Sequence, residues 1–236
     1  MDSQGRYLPA LSQESMPAGK GFLMDHRGGV RCHPTPSSPG LPYASGMKQS
    51  LGARTLLYTH PVVVIGTYDR NGKPNVMTAA WAGICCSSPP CVAVSLQKPR
   101  YSYRNIVETK AFTVNIPSED HVKEADFFGM VSGKDTDKFA ASGLTPVKGT
   151  IVNAPYVKQF PVVLECRLLQ SFEIGVHTQF VGEILDVKVD EAVLGPDGRP
   201  DMARVRPFIY DSARQEYYGI GKLLGKAFSV GRELKG

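Results

Sequence analysis

No stretch of the 236 residues approaches the roughly 20 consecutive apolar residues that carry a helix across a bilayer. The N-terminus also lacks a basic segment followed by an apolar core of the kind that directs secretion. The expectation is a soluble, cytoplasmic protein with no membrane partner. Cysteine is scarce and odd in number: Cys32, Cys85, Cys86, Cys91 and Cys166 contain no Cys-x-x-Cys pair, which argues against a disulfide framework and against a zinc site. Free thiols in a reducing compartment are the simplest reading, and adjacent Cys85 and Cys86 bridge each other only through a strained ring. A continuous basic stripe is missing too. The net charge of +5 is spread among acids, so nucleic acid is not an expected partner. No Ser-His-Asp or Cys-His nucleophile arrangement can be argued. Asp135, Asp137 and Glu183 stand at no metal-ligand spacing from any histidine, and no metal site is expected.

What is present is enough apolar residue, 42% of the chain, to build a sizeable core in one main domain. Residues 1–46 read differently from the rest. The run Pro34-Thr35-Pro36-Ser37-Ser38-Pro39-Gly40-Leu41-Pro42 has no apolar period and predicts a disordered leader or extension, with Met47 a candidate natural start of a domain spanning 47–236.

From Pro61 onward the pattern is short β-rich runs separated by turn residues. Val62 to Thr67 and Pro74 to Trp81 flank Asp69-Arg70-Asn71-Gly72-Lys73, where Asn-Gly marks a hairpin. Further strands are expected at Cys91 to Leu96, Phe112 to Ile116, Val162 to Phe172, Phe180 to Val189, Phe208 to Tyr210 and Glu216 to Ile220. Ser102 predicts the cap of a helix running to about Lys110. Ser118-Glu119-Asp120 predicts another ending near Gly129, and Asp137-Lys138-Phe139 a short one stopped at Gly143. Many strands with two or three inserted helices make a mainly β fold, a closed or partly closed antiparallel barrel.

Two glycine motifs are decoys. Gly219-Ile220-Gly221 with Gly225 lacks room for the βαβ unit and distal acid that a dinucleotide fingerprint requires, and Gly225-Lys226 lacks the upstream glycine of a P-loop. More informative are Asn75-Val76-Met77-Thr78-Ala79-Ala80-Trp81, Ser95-Leu96 and Arg100-Tyr101-Ser102-Tyr103. Their hydroxyls, amides and one guanidinium suit a flavin's polar edge and phosphate, although ordinary sheet packing explains each piece equally well.

Taken in order from about Met47 to Leu234, Asn75 to Trp81, Ser87-Ser88-Pro89-Pro90, Val92 to Leu96, Arg100 to Ile106, Phe112 to Pro117, Ser132-Gly133 with Asp137-Lys138-Phe139, and Val181-Gly182-Glu183 resemble the flavin reductase family, with the nearest likeness to its flavoredoxin members. The resemblance implies an FMN-binding split β-barrel of Greek-key type that forms a homodimer and holds non-covalent FMN in a groove. Electrons would pass from NAD(P)H or a reduced protein through the FMN to a flavin or protein acceptor; the alternatives are an FMN electron carrier with no NAD(P)H activity and a flavin-binding module without turnover. Carried over by position, Asn75, Val76, Met77 and Thr78 would line the ring and ribityl chain, Ser95 and Leu96 the next strand, and Arg100 and Ser102 the phosphate. Asn115, Ile116, Ser132 and Lys138 are further candidates. His177 would stand beside the flavin as the catalytic residue, where a lone histidine is otherwise a structural hydrogen-bonding group.

Overall fold

The computed structural model describes residues 46–234; the expected leader and Cys32 lie outside the described residues. The chain divides between Ser50 and Leu51, and everything below concerns the second unit. Its elements are mainly strands. β1 (His60–Pro61), β2 (Val63–Tyr68), β3 (Pro74–Ala79), β4 (Ala82–Ser87) and β5 (Pro90–Gln97) are followed by α1 (Tyr101–Thr109) and β6 (Ala111–Ile116). Then come α2 (Val122–Met130), α3 (Lys138–Ser142), β7 (Pro146–Lys148), β8 (Pro155–Val157), β9 (Val162–Ile174) and β10 (His177–Val189). A short α4 (Met202–Val205), β11 (Phe208–Asp211) and β12 (Glu216–Gly219) complete the list.

Local chemistry sets the hairpins. The Asp69 carboxylate accepts the backbone N–H groups of Asn71 and Lys73 at 2.8 Å each, and Gly72 adopts φ +76°, so the chain reverses and β3 runs back along β2 with Thr67 opposite Asn75. Gly175, at φ +54°, turns β9 into β10. The seven-stranded sheet has the order β3-β2-β6-β9-β10-β5-β4, with every pairing antiparallel.

That order dictates a barrel. β3 and β4 occupy opposite edges, which in a flat sheet of seven strands lie about 29 Å apart. Only Ala80 and Trp81 connect them, three Cα steps that reach at most about 11 Å. The sheet must therefore curl until its edges meet, and Ser95 N–H, donating to Trp81 O at 2.9 Å, carries the β4–β5 pairing back into that connection. Inside are Ile65, Val94, Leu96, Phe112, Cys166 and Phe180, all essentially inaccessible. Gly182 of β10 makes this packing possible, because a Cβ there would come within 2.4 Å of the Phe112 ring. A second apolar cluster, with Val64, Val76, Ala125, Phe128 and Phe139, fixes α2 and α3 against the outer face of β2 and β3. β1, β11 and β12 form a separate small sheet.

One expectation needs correction, and one strand of the barrel was not anticipated. Ser102 does not cap α1: Arg100 holds the N-cap position, and the buried Ser102 hydroxyl accepts from Asn75 instead. β4 was not anticipated, because Gly83, Ile84, Cys85 and Cys86 are all exposed and show no alternation for an edge strand to leave in the sequence.

Candidate functional site

Where the curled sheet meets itself it also parts. β4 covers β5 only as far as Val94, and β3 has no strand on its outer edge among the described residues. Met77, Thr78 and Ala79 on one side and Ser95, Leu96 and Gln97 on the other line a groove of about 640 Å³, with His177 at its wall. Past Met77, Gln97 and Arg100 the groove narrows into a cavity of about 220 Å³ bounded by Asn75, Ser102, Ser132 and Lys138. Past Ala80, Trp81 and Ser95 it opens in the other direction into a hollow of about 600 Å³.

The narrow end is cationic. α3 begins with Asp137, whose carboxylate accepts Ala140 N–H, and this places Lys138 with its side chain buried, Nζ donating to Phe128 O at 2.7 Å. Burial pushes the Lys138 ammonium down to about 8, and the Arg100 guanidinium adds to the effect. Among the described residues neither cation is paired with a carboxylate. The first turn of α1 opens beside them and receives no side-chain cap from Arg100.

Asn75, 4% exposed, donates through Nδ2 to Ser102 Oγ at 2.9 Å and leaves Oδ1 buried with no partner. Gly133 makes this crowding possible: a Cβ there would sit 1.8 Å from that oxygen. Two unneutralised cations, a helix N-terminus and the hydroxyls of Ser102 and Ser132 form a donor set for a phosphate-like dianion.

The wide part is tied down on every side. Thr78 Oγ1 donates to Ala125 O, locking α2 to β3. Trp81 stacks on His60 with ring centroids 4.8 Å apart, and His60 Nε2 lies 3.2 Å from Ser212 Oγ. The Tyr217 hydroxyl donates to Asp126 Oδ1 at 2.9 Å; burial, with the Asp126 carboxylate adding, raises its pKa far above the ordinary phenol value and keeps it a donor. His177 is half-buried, the first residue of β10, and lies opposite Gln97 in the ladder.

Ten of the residues expected from sequence therefore share one trough: Asn75, Met77, Thr78, Ser95, Leu96, Arg100, Ser102, Ser132, Lys138 and His177. Three do not. The Val76 side chain alternates to the other face of β3 and is buried in the cluster under α2. Asn115 spends its amide on the outer face of β6, under β8, donating to Val64 O and Thr113 Oγ1 and accepting from Val157 N–H at 2.9 Å each. Ile116 lines an apolar hollow elsewhere, beside Val162 and Phe208. Gln97, the His60–Trp81 stack and the Asp126–Tyr217 pair were missed, since no local pattern marks residues that only strand closure and the β11–β12 hairpin bring to the groove.

Known proteins share this architecture. Flavoredoxin of Desulfovibrio vulgaris (Miyazaki F) is 56% identical and superposes with a TM-score of 0.76 over 78% of this chain and 100% of its own. Flavoredoxin from Methanosarcina acetivorans is 30% identical, with a TM-score of 0.75 over 80% of this chain and 100% of its own. A split-barrel protein classed with the flavin reductases, from Shewanella frigidimarina, is 25% identical, with a TM-score of 0.66 over 73% of this chain and 87% of its own. Residues 54–217 match the model of the flavin reductase like domain, and with the split barrel and its cationic groove in place, the chain belongs to that family.

Proposed function

We propose that the chain binds one FMN non-covalently in this trough and passes electrons through it, as an oxidoreductase or electron carrier of the flavoredoxin type. The observation that carries the reading is the narrow end, where Lys138 and Arg100 converge without a carboxylate beside a buried, unpartnered Asn75 Oδ1, and which opens directly into a groove wide enough for a ring system. A phosphate supplies the missing counter-charge, and a ribityl hydroxyl the missing donor. Bound there, FMN would supply reversible one- and two-electron chemistry.

The protein's own residues do the rest. Lys138, Arg100 and the first turn of α1 hold the phosphate end. Thr78, Ser95 and Gln97 present polar atoms to the groove wall, and the stacked Trp81 and His60 close its far side. His177 stands at the wall, where its imidazole can hold or pass a proton. The natural cover is a second copy of the chain, because the β9–β10 tip beside His177 exposes Phe172, Ile174 and Val176.

Electrons enter from a reduced nicotinamide or from a reduced protein, and an anaerobic visible spectrum before and after addition of NADPH and NADH separates the two. Flavin bands that bleach establish nicotinamide-dependent turnover; bands that persist but bleach with a reduced redox protein establish a protein-fed carrier. A protein that neither carries nor takes up flavin refutes the proposal.

A further inference from the structure

The β4–β5 hairpin carries three thiols for which the flavin reading has no use. Cys86 and Cys91 are directly opposed in the antiparallel register. Opposed residues have Cα atoms roughly 4.5–5.5 Å apart, inside the roughly 4.4–6.8 Å that a disulfide spans. The register shifts between Ile84 and Cys86, so Cys85 is the extra residue of a bulge, which sets two residues against one. In a regular strand Cys85 and Cys86 would point to opposite faces. Here the Cys91 thiol is a hydrogen-bonding neighbour of Cys86 and also feels Cys85. Cys85 and Cys86 are exposed and Cys91 is buried. No group of three His, Cys, Asp or Glu among the described residues could hold a metal ion, which leaves the thiols their own chemistry.

We propose that Cys86 and Cys91 form a second redox centre, a dithiol that reduces low-molecular-weight disulfides and becomes a cross-strand disulfide in doing so. The Cys86 thiolate attacks one sulfur of the substrate RSSR: a Cys86–SR bond forms, the substrate S–S bond breaks, and RS⁻ leaves and takes up a proton. Cys91 then gives its proton to solvent and attacks Cys86 Sγ, and the second RS⁻ departs. Two protein thiols lose two electrons and one disulfide becomes two thiols. Burial pushes the Cys91 thiol up, with Cys86 and Cys85 adding to the shift. The exposed Cys86 is therefore the entry point, and the buried Cys91 the thiol that resolves the mixed disulfide.

The test incubates the purified full chain with oxidised glutathione, alkylates the remaining thiols after unfolding, and maps the bridge by tandem mass spectrometry, since no Lys or Arg separates the two residues. Wild type is expected to lose two alkylatable thiols and show a Cys86–Cys91 link. Cys91→Ser is expected to hold one glutathione on Cys86, and Cys85→Ser to retain the link. Cys86→Ser, at an exposed position that tolerates the change, is expected to form none. A Cys85–Cys86 link in wild type, a fully alkylated Cys91, or an undiminished bridge in Cys86→Ser overturns the proposal.

Discussion

Lys138→Met is the most discriminating perturbation of the groove. The wild-type ammonium is buried, and its pKa falls from an ordinary 10.5 to about 8. A phosphate monoester is dianionic above pH 7, and a charge-assisted hydrogen bond to it contributes about 1.5–3 kcal/mol. Loss of that bond weakens FMN binding about 10- to 150-fold at pH 7. The pH dependence is sharper still. Above pH 8 the free protein must take up a proton to bind, so wild-type affinity falls by about tenfold per pH unit until the pH reaches the higher value Lys138 has in the complex, whereas Lys138→Met shows no such slope.

Stability moves in the opposite direction. Between pH 8 and 10.5 the unfolded chain binds a proton at this position that the folded flavin-free protein does not, so the folded apoprotein gains up to about 3 kcal/mol as pH rises through that window. Fluorescence titration of FMN into apoprotein at pH 7, 8, 9 and 10, with denaturant unfolding alongside, reads both effects. Equal affinities for the two proteins, or the same slope in both, would refute the role assigned to Lys138.

Three further outcomes are expected. Gly133→Ala places a methyl group on Asn75 Oδ1 and forces the Ser132 loop outward, so the purified variant should carry much less flavin per protein, read from the ratio of visible to ultraviolet absorbance. His177→Ala should keep its flavin but reduce more slowly in stopped-flow experiments, and an unchanged rate returns His177 to a structural role. The Glu165 carboxyl meets two opposed influences. Burial raises its pKa, but the backbone N–H groups of Thr150, Ile151 and Val152 together with Lys188 outweigh this and hold it at about 2. It therefore contributes about 3 kcal/mol above pH 4.5 that is lost as pH falls toward 2. Glu165→Gln should lower the unfolding midpoint at pH 7 and flatten that acid limb.

Short-range chemistry was legible from the residues alone. Asp69 with Asn71-Gly72 specified the first hairpin, Asp137 and Gly143 bounded α3, Gly175 turned the longest strand pair, and alternating apolar runs located all but the least patterned strands of the barrel. The candidate trough was also largely readable, because its Asn, Ser, Thr, Arg and Lys lie in three short segments whose order resembles the flavin reductase family. Tertiary structure decided which of those side chains face the trough. Strand alternation sent Val76 into the core. Asn115 was claimed by backbone groups of β2 and β8, since a buried amide must be satisfied wherever it lies. Hairpin pairing of β4 with β5 set Trp81 beside Ser95, and packing of β1 against β4 brought His60 beside Trp81, a juxtaposition that no local pattern encodes. The phosphate-sized end arose the same way: Lys138 and Arg100 are 38 positions apart, and only the packing of α3 against β3 sets both charges in one cavity.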